Sequence, residues 1–216
     1  YQRRVRGFIM EQNYLFKVLV VGNGGVGKTC CIRKIVYNAF THEYKATIGV
    51  DFAYKVIKLN HNGQDISVRV QLWDIAGQER DSTLTRVYFR DAFGCLVVGD
   101  LEEQAITQDI MRWKQDIDSK VQFPNSTEPI PCICLCNKID KEQARQNFNE
   151  KLQNELQKQN FDGIFGTSAA TGEGLNEALE ALCKKILTKT DQFKPTNNPK
   201  PGVITGKTDP DKKKCC

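Results

Sequence analysis

The residues best suited to chemistry lie in three polar stretches that interrupt apolar runs: "GNGGVGKT" (22–29), "WDIAGQE" (73–79) and "NKID" (137–140). The first is rich in glycine, which lets the backbone curl and turn its N–H groups inward at an anion. Lys28 brings a cation to the β- and γ-phosphates, and Thr29 offers a hydroxyl to Mg²⁺. A Gly-rich turn alone is common, but here an apolar strand precedes it and a helical pattern follows, which makes phosphate binding the stronger reading. "NKID" addresses the base. Asp140 presents one carboxylate, which can pair with the N1–H and N2 amine of guanine; adenine offers no such pair of donors. Asn137 braces that loop and the Lys138 stem packs over the ring. In "TSA" (167–169) the Ala169 N–H would meet guanine O6, although such a turn says little by itself. The middle stretch is the open one. Its acid, small pair, amide and charges could make a polar loop, a ligand holder, or a switch that helps break a bond.

These stretches need a frame. Apolar runs recur at 16–22, 51–59, 66–74, 94–100, 131–138 and 163–169, and the second and third are joined through Asn62-Gly63, a strong hairpin signal. Helical patterns lie near 28–38, 82–91, 104–119, 141–159 and 174–187. Alternating strands and helices predict an α/β domain: a six-stranded, mostly parallel sheet with one antiparallel strand, flanked by about five helices. Ligands of such sheets bind at the carboxyl ends of the strands, where the three polar stretches fall.

Composition excludes several classes. With 40% hydrophobic and 26% charged residues in 216, the chain reads as one well-cored domain plus flexible ends. It has no apolar run of about 18 residues and no secretory pattern at its start. The net charge of +5 is carried at the ends: Arg3, Arg4 and Arg6 in residues 1–9, and seven Lys against three Asp in 188–216. The body between them is therefore near −2, which argues against nucleic acid as a partner. Cys132, Cys134 and Cys136 alternate on one strand and read as small buried hydrophobes, not metal ligands or disulfides. A reducing, cytosolic compartment is the expectation.

The motifs, together with "TIG" (47–49), resemble the Ras superfamily of small GTPases in order and spacing over residues 14–187. The expected fold is thus the P-loop NTPase G domain. Within that superfamily "TIGVDF" (47–52) and the terminal Cys215-Cys216 resemble the Rab family. "WDIAGQER", "TRVY" (85–88) and "SKVQFPN" leading into "PIP" look like the branch serving lysosome-related organelles. The resemblance implies GTP/GDP and Mg²⁺ as ligands. Thr29, Thr47 and Asp74 would hold the metal, and Gly77 the γ-phosphate. Gln78 would orient the attacking water, with Lys28 and Gly77 as the other catalytic groups, and Gly24 would leave room for Gln78 and an incoming arginine. The loop residues Gly22, Asn23, Gly25, Val26 and Gly27, with Cys30, would line the nucleotide. Phe40 would pack edge-on against guanine, and Tyr44, Ser168 and Ala170 would complete the pocket. Phe52, Trp73 and Tyr88 match an aromatic trio read by effectors, although Phe52 and Trp73 also fit as neighbours in a hairpin.

Four positions depart from the family pattern. Asp81 stands where an aromatic is usual, Gly99 where a Tyr or Phe is usual, Gly166 replaces a Glu, and Cys136 a smaller residue. Gly99 is expected to leave a gap near the fourth strand. Residues 1–9 read as an extension before Met10, 10–187 as the GTP-binding domain, and 188–216 as a flexible tail with four of the seven prolines. "KKKCC" offers two thiols for two prenyl groups, with Lys212, Lys213 and Lys214 facing an anionic leaflet. The expected protein cycles between cytosol and the cytosolic face of an intracellular membrane. Its expected partners are effectors, an exchange factor, an activating protein and a prenyl-binding chaperone. The competing reading is a nucleotide-bound structural or adaptor subunit; a P-loop kinase would leave Asp140 without purpose.

Overall fold

A computed structural model describes residues 13–43, 45–78 and 85–193. Six strands, β1 (Asn13–Val21), β2 (Val50–His61), β3 (Gln64–Ile75), β4 (Gly94–Asp100), β5 (Cys132–Asn137) and β6 (Gly163–Gly166), form one sheet. Their order is β2-β3-β1-β4-β5-β6, with β2 and β3 antiparallel and every other pair parallel. Asn62 and Gly63 both take positive φ (52° and 77°) between the paired His61 and Gln64, the geometry that a two-residue hairpin needs. β4 and β5 are buried along their whole length, as parallel strands covered on both faces must be. β2 and β3 alternate instead, so one face of the hairpin reaches solvent.

The described residues hold six helices: α1 (Lys28–Tyr37), α2 (Thr85–Phe89), α3 (Ile106–Lys120), α4 (Glu142–Asn147), α5 (Glu150–Gln157) and α6 (Leu175–Gln192). This agrees with the expected flank of about five helices, the pattern at 141–159 being divided into two. Phe148 leaves the helical region at φ −79°, ψ 60°, and the Asn149 side chain accepts from the Leu152 N–H to begin the second. α6 also runs past residue 187. Thr190 is buried with its hydroxyl donating to the Ile186 carbonyl, Asp191 meets His61 at 2.6 Å, and the Phe193 ring packs on Phe123. The polar letters of "TKTDQ" concealed that continuation.

The expected gap at Gly99 is filled. A Cβ there would lie 2.5 Å from Ile110 Cδ1 and 3.0 Å from Ile106 Cγ1, so α3 packs its isoleucines into the space. Gly166 is occupied in the same way by Ile139 and Phe148. Cys132, Cys134 and Cys136 are buried free thiols, as their alternation predicts.

Candidate functional site

"GNGGVGKT" forms the turn from β1 into α1. Gly27, at φ 98°, caps the helix in the left-handed region, where a side chain would be strained and would strike Asn137 Nδ2 at 2.5 Å. Lys28 is buried, and its Nζ donates to the carbonyls of Gly22 (2.8 Å) and Asn23 (2.7 Å). Burial lowers its pKa to about 8, although Asp74 opposes that pull. A desolvated ammonium inside a loop of backbone is prepared for an anionic ligand.

Next to it three oxygens converge. The Thr29 hydroxyl donates to Asp74 Oδ2 at 2.5 Å, Thr47 Oγ1 reaches the same atom at 3.3 Å, and the two hydroxyls lie 2.9 Å apart. Asp74 is 3% exposed and its Oδ1 is buried without a hydrogen-bond partner. Burial raises its pKa, only partly offset by the Thr29 hydrogen bond and Lys28. An orphaned carboxylate oxygen among two hydroxyls is the hard-oxygen donor set that Mg²⁺ takes when phosphates complete its shell. The residues fit the metal.

Gly77 lies against the phosphate loop. A Cβ on it would fall 2.4 Å from the Gly24 nitrogen and 2.6 Å from the Asn23 carbonyl carbon. Gln78, beside it, is exposed, as are Gly24 and Gly25. Cys30 is half-buried one residue past Thr29.

At the base end, Asn137 is 1% exposed and ties two loops together. Its Nδ2 donates to the Val26 carbonyl at 2.9 Å and its Oδ1 accepts from the Ala169 N–H at 3.1 Å. The donor assigned to guanine O6 is thus already engaged, and it meets O6 only by sharing or leaving that bond. Asp140 is exposed, with Oδ1 accepting from the Ser168 hydroxyl at 2.5 Å, and that hydroxyl also accepts from the Ala170 N–H at 3.2 Å. Lys138, at φ 73°, pairs with Asp100 and lies 3.5 Å from Glu102. Burial pulls its pKa down, but those two carboxylates outweigh it and the net shift is upward. Phe40 is far from enclosed: 38% exposed, it stands edge-on to the His42 ring at 4.8 Å.

Two features escaped the motifs. Asp100 and Glu102 set the Lys138 head; the signal was a carboxylate ending β4, in register with Asn137 on β5. Trp113 of α3, 1% exposed, donates its indole N–H to Asn23 Oδ1 at 2.9 Å; a buried tryptophan must find an acceptor. On the hairpin, Phe52 and Trp73 stack at 5.9 Å with Phe52 53% exposed, and Lys17 Nζ sits 3.8 Å over the Trp73 ring. Tyr88 is half-buried on α2 and is not part of that stack. Tyr44, Glu79, Arg80, Asp81, Lys212, Lys213, Lys214, Cys215 and Cys216 lie outside the described residues, as do residues 1–9.

Comparison with known proteins gives the family. Residues 17–188 match the model of the Ras family. The chain is 43% identical to Ras-related protein Rab-32 of Homo sapiens over 84% of this chain and 79% of that protein. It is 40% identical to human Ras-related protein Rab-7L1 over 84% of this chain and 87% of that one. With Ras-related protein Rab-32A of Dictyostelium discoideum it shares 41% identity over 88% and 85% of the two chains. The chain belongs to the Ras family and, within it, to the Rab small GTPases, which bind GTP or GDP with Mg²⁺, hydrolyse GTP and act as switches in membrane trafficking.

Proposed function

We propose that the switch of this Rab GTPase is thrown by Thr47, Asp74 and Gly77, and that its hydrolysis depends on Gln78. The observation that carries this reading is the Thr29–Thr47–Asp74 cluster, with Asp74 Oδ1 buried and unpartnered beside Lys28. Bound Mg²⁺ supplies positive charge against the β- and γ-phosphates. Thr29 and Thr47 would offer their hydroxyls to the metal, and Asp74 its carboxylate. Lys28 neutralises phosphate charge. The Thr47 and Gly77 N–H groups sense the γ-phosphate, so both loops close only on GTP. Gln78, exposed beside Gly77, orients the attacking water. No arginine of the chain has a catalytic role in this reading. Intrinsic turnover is therefore slow, and an activating partner supplies the missing cation. Asp140 reads guanine, while Asn137 and Ser168 hold its loop. Phe52, Trp73 and Tyr88 present the surface that effectors read in the GTP state.

The GTP-binding domain takes in α6 to Gln192, and the lipid-bearing segment follows it in the sequence. Cys215 and Cys216 carry two prenyl groups, assisted by Lys212, Lys213 and Lys214 near an anionic leaflet. An exchange factor and a prenyl-binding chaperone complete the cycle between membrane and cytosol. Service to lysosome-related organelles is the branch that the motifs favour.

Single-turnover GTP hydrolysis tests the core of this reading. Gln78→Leu should slow it by at least tenfold, and capture of effectors should depend on GTP. Partners that bind equally well to the GDP form would instead support the adaptor reading. Removing Cys215 and Cys216 should leave the protein in the soluble fraction of cells; persistent membrane binding would refute the anchor.

A further inference from the structure

We infer that Trp113 is a positioning residue for GTP hydrolysis, acting through the side chain of Asn23. The inference rests on the catalytic roles proposed above for Gly77, Gln78 and Lys28.

Asn23 is the second residue of the phosphate loop, and three parts of the site meet on it. Its carbonyl accepts from Lys28 Nζ at 2.7 Å. Its carbonyl carbon and the Gly24 nitrogen, the two ends of one peptide bond, are what Gly77 approaches so closely that a Cβ would fall at 2.6 and 2.4 Å. Its side-chain Oδ1 accepts the Trp113 indole N–H at 2.9 Å. A backbone segment with no Cβ at Gly24 or Gly25 has little to fix it from within. An external strut is the means of holding the Asn23–Gly24 peptide where Gly77 must close. Trp113 suits that task. It is among the largest fully buried side chains and sits on α3 in a row with Ile106, Ile110 and Ile117. Packing of that density leaves the indole one orientation, and its N–H one direction. Asn23 provides the acceptor as a neutral amide, so the strut adds no negative charge beside the phosphates.

Two tryptophans occur in the chain, so the indole N–H signals are readily told apart. In the full-length GDP-bound protein the Trp113 indole proton should be strongly protected from hydrogen exchange, and Asn23→Ala should remove much of that protection. Losing one neutral hydrogen bond should slow single-turnover hydrolysis by about fivefold in either Trp113→Phe or Asn23→Ala. The double variant should be no slower than the singles, because both remove the same contact. Asn23→Asp, which keeps an acceptor but adds a negative charge beside the phosphates, should restore the protection and not the rate. If Trp113→Phe lowers only the melting temperature and leaves hydrolysis unchanged, the tryptophan is mere packing and the inference falls. It also falls if the two losses multiply. Should Trp113→Phe fail to fold, Asn23→Ala alone decides by the exchange and rate readouts. Gln78→Leu run alongside separates the levels. A fast Gln78→Leu overturns the catalytic roles; a slow one beside an unaffected Asn23→Ala overturns the strut alone.

Discussion

Asn137 donates its amide to the Val26 carbonyl across 111 residues of chain, binding the base-side loop to the phosphate loop at 2.9 Å. The other end of the same amide accepts the Ala169 N–H, so one buried side chain sets the spacing between the loops proposed to hold phosphate and guanine. Asn137→Ala removes both bonds and leaves a buried donor and acceptor unpaired, a loss of about 1–3 kcal/mol. GDP dissociation should quicken by about ten- to a hundredfold. Asn147→Ala is the control, because Asn147 donates to the Leu101 carbonyl at 2.7 Å and belongs to no nucleotide loop. Stopped-flow release of a fluorescent guanine nucleotide checks both; equal rates in Asn137→Ala and wild type would show that the brace is dispensable.

Gly77→Ala tests the approach of β3's end to the phosphate loop. The added methyl would meet backbone atoms of Asn23 and Gly24, which cannot rotate away as a side chain can. The loop after β3 should be held off, so the GTP state should lose effector capture and hydrolyse at least tenfold more slowly. GDP affinity, which needs no such closure, should stay within about threefold of wild type. Titration with GDP beside a single-turnover assay separates the two effects, and unimpaired effector capture would refute closure through this contact.

The motif residues were legible because chemistry and topology agree there: each polar stretch ends a strand, and the strand ends share one edge of the sheet. Strand ends thus bring the three polar stretches to one edge, and the family resemblance adds the metal role of Asp74. Contacts created by packing between distant elements left no comparable trace. Trp113 reads as one apolar letter of a helix, and nothing local says that its N–H faces Asn23. Asp100 reads as the end of a strand until β5 brings Lys138 alongside. Gly99 misled for the same reason, since the loss of a side chain looks like a gap unless the neighbouring helix is seen to fill it.

That filling is measurable. Gly99→Ala would push a methyl to 2.5 Å from Ile110 Cδ1 and 2.7 Å from its Cγ1, an overpacking that costs about 1–3 kcal/mol. Urea denaturation should show the loss as a lower midpoint with an unchanged slope. Ile110→Val deletes the Cδ1 atom alone and should recover at least about 0.5 kcal/mol in the Gly99→Ala background, while destabilising the wild type. Additive losses would mean that Gly99 and Ile110 do not share this space.

The thiol of Cys183, buried on α6, makes stability sensitive to alkali. Burial, with Glu180 adding to it, pushes its pKa from 9.0 to about 12. In the unfolded chain the thiol ionises near its ordinary value, so between about pH 9 and 12 the folded state binds the extra proton. Its contribution to stability is complete below pH 9 and is lost as pH rises toward 12, by up to about 1.4 kcal/mol per pH unit. Cys31, Cys95 and Cys134 are shifted upward by burial too and add to the same slope. Cys183→Ala should therefore be less stable than wild type at pH 7.5, where only the lost packing counts, yet close that difference by pH 10. Urea midpoints at the two pH values check this, together with alkylation at pH 8. A buried thiol held protonated should resist iodoacetamide in the folded protein; rapid labelling of Cys183 there would show that α6 opens and exposes the thiol.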